Sequence, residues 1–172
     1  MITLTLAFWI LVILFGVIGA MRGWAKELLV SFSVIVALFI ITIMTSFGPL
    51  KNFYAQLKGA SAFWVPSLVL IILVCAGYQT PALAARFSAG KFARDKLSDI
   101  LLGFFIGMLN GYLIFGSLWY FMAQAGYPFS GITAPPAPPP IIVNYLPPEI
   151  LEGPILYAAV GLAFLFVLLV FI

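Results

Sequence analysis

Five long runs without Asp, Glu, Lys or Arg dominate the pattern of apolar and polar positions along this chain. They lie at about residues 2–20, 28–47, 62–85, 100–122 and 153–172. A helix rises about 1.5 Å per residue, so about 20 residues cross the roughly 30 Å hydrocarbon core of a bilayer. The pattern therefore predicts an all-α fold, a polytopic membrane helical bundle of about five transmembrane helices.

The start of the chain is expected to form a permanent helix rather than a cleaved signal peptide. A signal peptide carries basic residues before its apolar part, whereas the first charged residue here, Arg22, follows the run. Residues 21–27 then separate the first two runs. This stretch is too short for a structure of its own, so we expect a tight antiparallel hairpin in which Gly23 permits the turn.

The later connections differ in composition. In residues 46–61 the apolar positions are spaced three and four apart, which fits a short surface helix and an irregular loop equally well. Residues 86–98 carry four basic residues, which favours a cytoplasmic loop that sets the topology over a lipid or partner contact. Residues 126–148 hold eight of the twelve prolines, so we expect an extended strap there.

Three parts follow from this pattern. Residues 1–122 are predicted to form a four-helix membrane core, residues 123–152 a Pro-rich extracytoplasmic loop, and residues 153–172 a fifth transmembrane helix. The last run is not expected to lie in the membrane plane, because it has no polar face.

The fourth run contains a stripe of small residues. Gly103, Gly107 and Gly111 recur every four residues, and positions four apart lie on one helix face. In a membrane such a face lets another helix approach closely, so we predict that these glycines are a helix-packing surface. Asn110 is the one strongly polar side chain in this run and is expected to hydrogen-bond a neighbouring helix. A substrate or proton-relay role for it lacks a carboxylate partner at that depth.

Composition narrows the class of protein and its chemistry. The chain is 65% hydrophobic and 8% charged, against about 25% charged residues in soluble domains. It contains no His and a single Cys, Cys75, which excludes an internal disulfide, a metal site that uses His, and a Cys–His nucleophile pair. We therefore expect no catalytic residues, no cofactor and no enzyme activity. The basic residues form no dense run, so no nucleic-acid partner is expected.

Basic residues are distributed unevenly over the predicted loops, with six on one side of five spans and two on the other. The six are Arg22, Lys26, Arg86, Lys91, Arg94 and Lys96, and the two are Lys51 and Lys58. Because basic loops stay in the cytoplasm, we predict that the N-terminus lies outside and the C-terminus in the cytoplasm.

This topology predicts a polar lock at the cytoplasmic interface. It brings Arg22, Lys26 and Glu27 to the same interface as Asp99, which precedes the fourth run. An ion pair of Asp99 with Arg22 or Lys26 would tie the first hairpin to the fourth helix, because pairing offsets the cost of charges near a membrane. Equally, each basic side chain could extend to water by itself.

Two motifs together resemble the colicin V production protein (CvpA) family. Residues 19–39 read GAMRGWAKELLVSFSVIVALF, and residues 99–116 read DILLGFFIGMLNGYLIFG. They give the pattern G-x-x-R-G-x-x-x-E-L, then a third helix, then D-x-x-L-G-x-x-x-G-x-x-x-G. The resemblance covers about residues 1–122. The matching positions are Gly19, Arg22, Gly23, Glu27, Leu28, Asp99, Leu102, Gly103, Gly107 and Gly111.

The resemblance implies a multi-pass protein of the bacterial inner membrane that is required for colicin V production and linked to export or envelope homeostasis. No catalytic residues are established for the family, so none is carried over. Asn110 departs from the family pattern, since members often carry a basic residue there.

Two other functions remain open. The small-residue and aromatic surfaces fit a structural or assembly subunit of a larger membrane complex, whose partners would be other membrane subunits or a second copy, besides the bilayer. A small channel or transporter is less favoured, because ionisable groups inside spans normally mark ion paths and the predicted spans carry none at depth.

Overall fold

The computed structural model describes residues 3–79, 96–132 and 141–171, and in these ranges all regular structure is helical. A 3₁₀ turn at Ile141–Tyr145 accompanies the α-helices. The α-helices of the described ranges are α1 (Leu4–Arg22), α2 (Trp24–Ser46), α3 (Gly48–Gln56), α4 (Ala60–Tyr78), α5 (Lys96–Gln124), α6 (Pro147–Ile150) and α7 (Gly153–Phe171).

Four of these helices, α1, α2, α4 and α5, are long and apolar enough to cross a membrane. The prediction of an all-α membrane bundle is therefore confirmed. Helix α7 is apolar as well. The apolar portion that can be assigned from the described residues runs from Gly153 to Phe166, which is shorter than each of the four long helices. A fifth transmembrane helix over residues 153–172 stays a prediction.

The turn between α1 and α2 is shorter than the sequence predicted. Thr3 caps the start of α1 by accepting a hydrogen bond from the Leu6 N–H at 3.3 Å. At the other end, the Gly23 N–H donates to the Gly19 carbonyl at 2.9 Å, which ends the helix. Gly23 has a φ of 85°, which glycine adopts without strain. Helix α2 then begins at Trp24 rather than near residue 28, because Lys26 and Glu27 belong to its first turn.

The remaining boundaries divide into those the structure describes and those it does not. Residues 48–56 form helix α3, which decides between the two predictions for residues 46–61 in favour of the helix. The predicted third helix of residues 62–85 is described from Ala60 to Tyr78. Its last residues, the basic stretch up to residue 95 and the proline run 133–140 lie outside the described residues.

Helices α1 and α5 run antiparallel with their backbones in contact. A Cβ atom built on Gly107 would lie 2.9 Å from the Gly19 Cα and would also meet the Phe15 carbonyl oxygen. One turn further along, a Cβ on Gly111 would lie 3.0 Å from the Val12 Cα. A Cβ has no room at Gly107 and would be crowded at Gly111, so the glycine stripe is the surface on which α1 lies.

A second contact involves the segment that follows the prolines. Leu146 and Pro147 are fully buried, and the Pro147 ring packs directly on Gly116 of α5. The Leu146 side chain belongs to a cluster with Phe8 of α1 and Trp119 of α5. Irregular backbone is tolerated among membrane helices where it is buried against protein, and here a glycine provides the space for it.

Replacing Gly107 by Leu is expected to lower the free energy of unfolding by about 3 kcal/mol, because the new side chain forces two backbones apart. Unfolding of the purified protein by SDS in mixed micelles measures this change. Gly161→Leu is the matched control, since a Cβ at Gly161 of α7 would meet nothing within 4 Å. Equal stability of the two variants would contradict the packing of α1 on this face.

Candidate functional site

Glu27 carries a carboxylate that is buried inside the bundle. The residue lies in the first turn of α2 and is 0% exposed. Its Oε1 accepts a hydrogen bond from Arg22 Nη1 at 2.6 Å, and its Oε2 accepts one from Asn110 Nδ2 at 2.8 Å. Both oxygens are therefore partnered, which a buried carboxylate needs because leaving water costs it several kcal/mol.

Asn110 uses both ends of its amide to join α5 to α2. Its Nδ2 also donates to the Glu27 backbone carbonyl at 2.8 Å, and its Oδ1 accepts from Ser31 Oγ at 2.6 Å. Glu27 and Ser31 are four residues apart and share one face of α2. Asn110 is 0% exposed and is the middle residue of α5. The interaction therefore lies at the centre of the longest helix.

Arg22 extends the interaction to two more helices. It is the last residue of α1, and its side chain is 23% exposed. The guanidinium carbon lies 4.1 Å from the centroid of the Tyr78 ring at the end of α4, a favourable cation–π distance. We call Arg22, Glu27, Ser31, Tyr78 and Asn110 the buried polar cluster. It links all four of the long helices.

Asp99 is not part of this cluster. Its Oδ1 accepts a hydrogen bond from the Trp24 backbone N–H at 3.3 Å, and Gly23 lies directly against its carboxylate. Asp99 therefore caps the N-terminus of α2 from the first turn of α5. A negative charge at that position is also favoured by the dipole of α2.

The predicted ion pair of Asp99 with Arg22 or Lys26 was wrong. In the described part of the chain, the ion pair that forms is Arg22–Glu27. The reason is the one-residue turn at Gly23, which puts Glu27 on the buried face of α2 within reach of Arg22. Lys26 is one position earlier on the helix, about 100° away, and is exposed.

Sequence reasoning also missed the partner of Asn110. The expectation that Asn110 has no carboxylate at its depth is wrong, because Glu27 supplies one. A signal existed in the i, i+4 spacing of Glu27 and Ser31, but it has meaning only once α2 is known to begin at Trp24.

The site holds one carboxylate, that of Glu27, which is paired with the Arg22 guanidinium and accepts a hydrogen bond from the Asn110 amide. Within the described ranges, no group of three or more His, Cys, Asp or Glu side chains is placed to hold a metal ion. Cys75 lies on α4 three residues before Tyr78 and is exposed. The arrangement orients four helices relative to one another.

Four long apolar helices joined through the buried polar cluster define an α-helical integral membrane protein. The model of the colicin V production protein family matches residues 4–134, which is most of the chain. The chain therefore belongs to the colicin V production protein family, which is not a known enzyme family. No curated protein and no solved structure matches it. The resemblance drawn from residues 19–39 and 99–116 is confirmed.

Glu27→Ala is expected to lower the free energy of unfolding by about 3 kcal/mol, because it removes the carboxylate that pairs with the Arg22 charge and accepts one of the Asn110 Nδ2 hydrogen bonds. In an Arg22→Ala background, Glu27→Ala should cost about 1–2 kcal/mol less. SDS unfolding of the wild type, the two single variants and the double variant measures this difference as a coupling energy. Lys26→Ala is the control and should change stability by less than about 0.5 kcal/mol, as exposed sites do. A coupling energy of zero would contradict the pairing.

The variants Asp99→Asn and Asp99→Ala distinguish two roles for Asp99, a hydrogen-bonding cap of α2 and a partner in an ion pair. Asn retains an acceptor for the Trp24 N–H, so it should cost only a few tenths of a kcal/mol, whereas Ala should cost about 1 kcal/mol. The same unfolding assay measures both. Two variants with equal and large losses would show that the charge of Asp99, rather than its hydrogen bond, holds this position.

Proposed function

We propose that this chain is an integral protein of the bacterial inner membrane that supports the production or export of a colicin V-type toxin, or the maintenance of the cell envelope. We further propose that it acts through helix packing and contacts with partner proteins rather than by catalysis. The family match over residues 4–134 carries the proposal. The family's role in colicin V production supports the proposed process, and the geometry of the buried polar cluster supports the proposed mode of action.

The buried polar cluster supports a mechanical role. The charged and amide groups at its centre are all engaged with one another, at distances of 2.6 to 2.8 Å. Such a network fixes the relative positions of helices. A bundle held in this way can present constant surfaces to other proteins in the membrane.

The outer face of α1 is one such surface. Its large apolar side chains are about half exposed, and they follow one another at helical spacing. They are Leu6, Ile10, Ile13, Leu14 and Val17. In a bilayer this face contacts lipid, a partner subunit or a second copy of the chain. It supports the alternative that the protein is a structural or assembly subunit of a larger membrane complex.

A second candidate function, a small channel or transporter, gains support from Glu27. Ionisable groups within a membrane bundle are functional sites by default, and this carboxylate contacts the middle of α5. Its complete pairing with Arg22 and Asn110 nevertheless favours the mechanical role, because a conducting site must exchange its partners.

The proposed role is tested in a colicin V-producing bacterium that lacks its own family member. Expression of this chain should restore toxin release, and Glu27→Ala should restore less than about a tenth of it, whereas Lys26→Ala should restore it fully. Native purification followed by mass spectrometry should recover partner proteins with the wild type. Release that is restored equally by both variants would contradict a role for the cluster. In liposomes, proton flux above that of protein-free vesicles would favour the channel instead.

We also propose that the N-terminus lies outside the cytoplasm and the C-terminus inside, from the uneven distribution of basic residues. A cysteine placed at Ala137, in the proline-rich stretch, should then react with a membrane-impermeant maleimide added to intact spheroplasts. Labelling is compared in a Cys75→Ser background with a cysteine placed at Lys26. Labelling at residue 137 only after lysis would reverse the proposed orientation.

A further inference from the structure

A cavity of about 440 Å³ lies between the C-terminal ends of α2 and α5 and the beginning of α7. This volume is within the usual range for small-molecule sites. Three of its lining side chains, Leu38, Ile41 and Phe121, are buried and form an apolar floor. Ser46 and Gln124 also line it and are exposed. The cavity is therefore apolar inside and polar at its mouth.

The electrostatics of the mouth favour a positive charge. Among the described residues that line the cavity, Glu152 is the one with a charged side chain. Ser46 and Gln124 are the last residues of α2 and α5, so two helix C-termini with their partial negative charge end here. Two helix N-termini have the opposite sign: the four-residue α6, whose second residue Pro148 lines the cavity, and α7 at Gly153, which Glu152 directly precedes.

Aromatic and hydroxyl groups complete the lining. Tyr54, Tyr120 and Tyr157 offer three phenol rings, and ring faces attract cations. Burial, and secondarily the neighbouring Tyr120, raises the pKa of Tyr54, so this phenol is neutral at physiological pH. Thr42 and Thr45 already donate their hydroxyl protons to the Leu38 and Thr42 carbonyls. Their oxygens therefore remain as acceptors, which suits a ligand that donates or carries positive charge.

We propose that this cavity binds an organic ammonium ion, a primary or quaternary amine, with its charge near Glu152 and the tyrosine rings and its apolar part on the floor. An anion would meet a carboxylate and two helix C-termini. A sugar would meet an apolar floor where it needs hydrogen-bond partners. The inference is independent of the role in toxin production, since it uses neither the family match nor the buried polar cluster.

Binding of tritiated choline to the purified full chain, measured by equilibrium dialysis in an uncharged detergent, tests the proposal. Unlabelled choline should displace the bound tracer. Its neutral isostere 3,3-dimethyl-1-butanol has the same shape without the charge and should displace it at least about fivefold more weakly. Equal displacement by the two compounds would overturn the proposal, as would no saturable choline binding at millimolar concentration.

Matched variants locate the site. Glu152→Gln should weaken choline binding about three- to fivefold, as expected for an exposed charge pair. Asp99→Asn removes a carboxylate in the first turn of α5, which does not line the cavity, and should leave binding unchanged. Tyr157→Leu should weaken binding about fivefold, whereas Tyr145→Leu, on an exposed ring outside the cavity, should not. If the two carboxylate variants, or the two tyrosine variants, weakened choline binding equally, the proposed site would be wrong.

The ammonium group could belong to a free amine or to a lipid headgroup, and a second measurement separates these sources. The protein is extracted from nanodiscs that contain equal amounts of phosphatidylethanolamine and phosphatidylglycerol, and its retained lipid is identified by native mass spectrometry. Preferential retention of phosphatidylethanolamine that is lost in Glu152→Gln supports a lipid source. Choline binding without lipid retention supports a soluble amine.

Discussion

A carboxylate buried among membrane helices must find partners for both of its oxygens, and much of this bundle is arranged around that requirement. Glu27 obtains one partner from α1 and one from α5, and the guanidinium of Arg22 in turn lies on the Tyr78 ring of α4. Apolar contacts alone tolerate sliding of one helix past another, since lipid is as apolar as Leu. Charge and amide contacts have strict distances and directions, so the cluster sets the register of four helices.

The glycine contacts make this arrangement accessible. Because α1 lies directly on α5 at Gly19 and Gly107, the end of α1 is held against the beginning of α5. Gly23 then turns the chain within one residue, and Asp99 receives the first N–H of α2. The close backbone approach, the short turn and the cap together bring the Glu27 carboxylate within hydrogen-bond distance of Arg22. The glycines therefore position the charged groups as well as allow the helices to pack closely.

The sequence was sufficient for the fold class, because uncharged runs of about 20 residues have few other solutions. The same criterion misplaced the start of α2. It treats every charged residue as loop, whereas Lys26 and Glu27 continue the helix. Asp99 was recognised as important, but its partner was not, since opposite charges at one interface do not specify which pairs form. The contact of Glu27 with Asn110 depends on the inclination of α2 against α5, which no local pattern contains.

The two halves of the buried polar cluster differ in how far apart their members lie along the chain. Arg22 and Glu27 are 5 residues apart, whereas Glu27 and Asn110 are 83 apart. During synthesis the first hairpin thus leaves the ribosome with its acidic and basic groups already able to neutralise each other. The hairpin can then enter the bilayer with one uncompensated charge at its tip, that of the exposed Lys26. The amide of Asn110 arrives with α5 much later, and it then completes the hydrogen bonds of the Glu27 carboxylate and joins the first hairpin to the rest of the bundle.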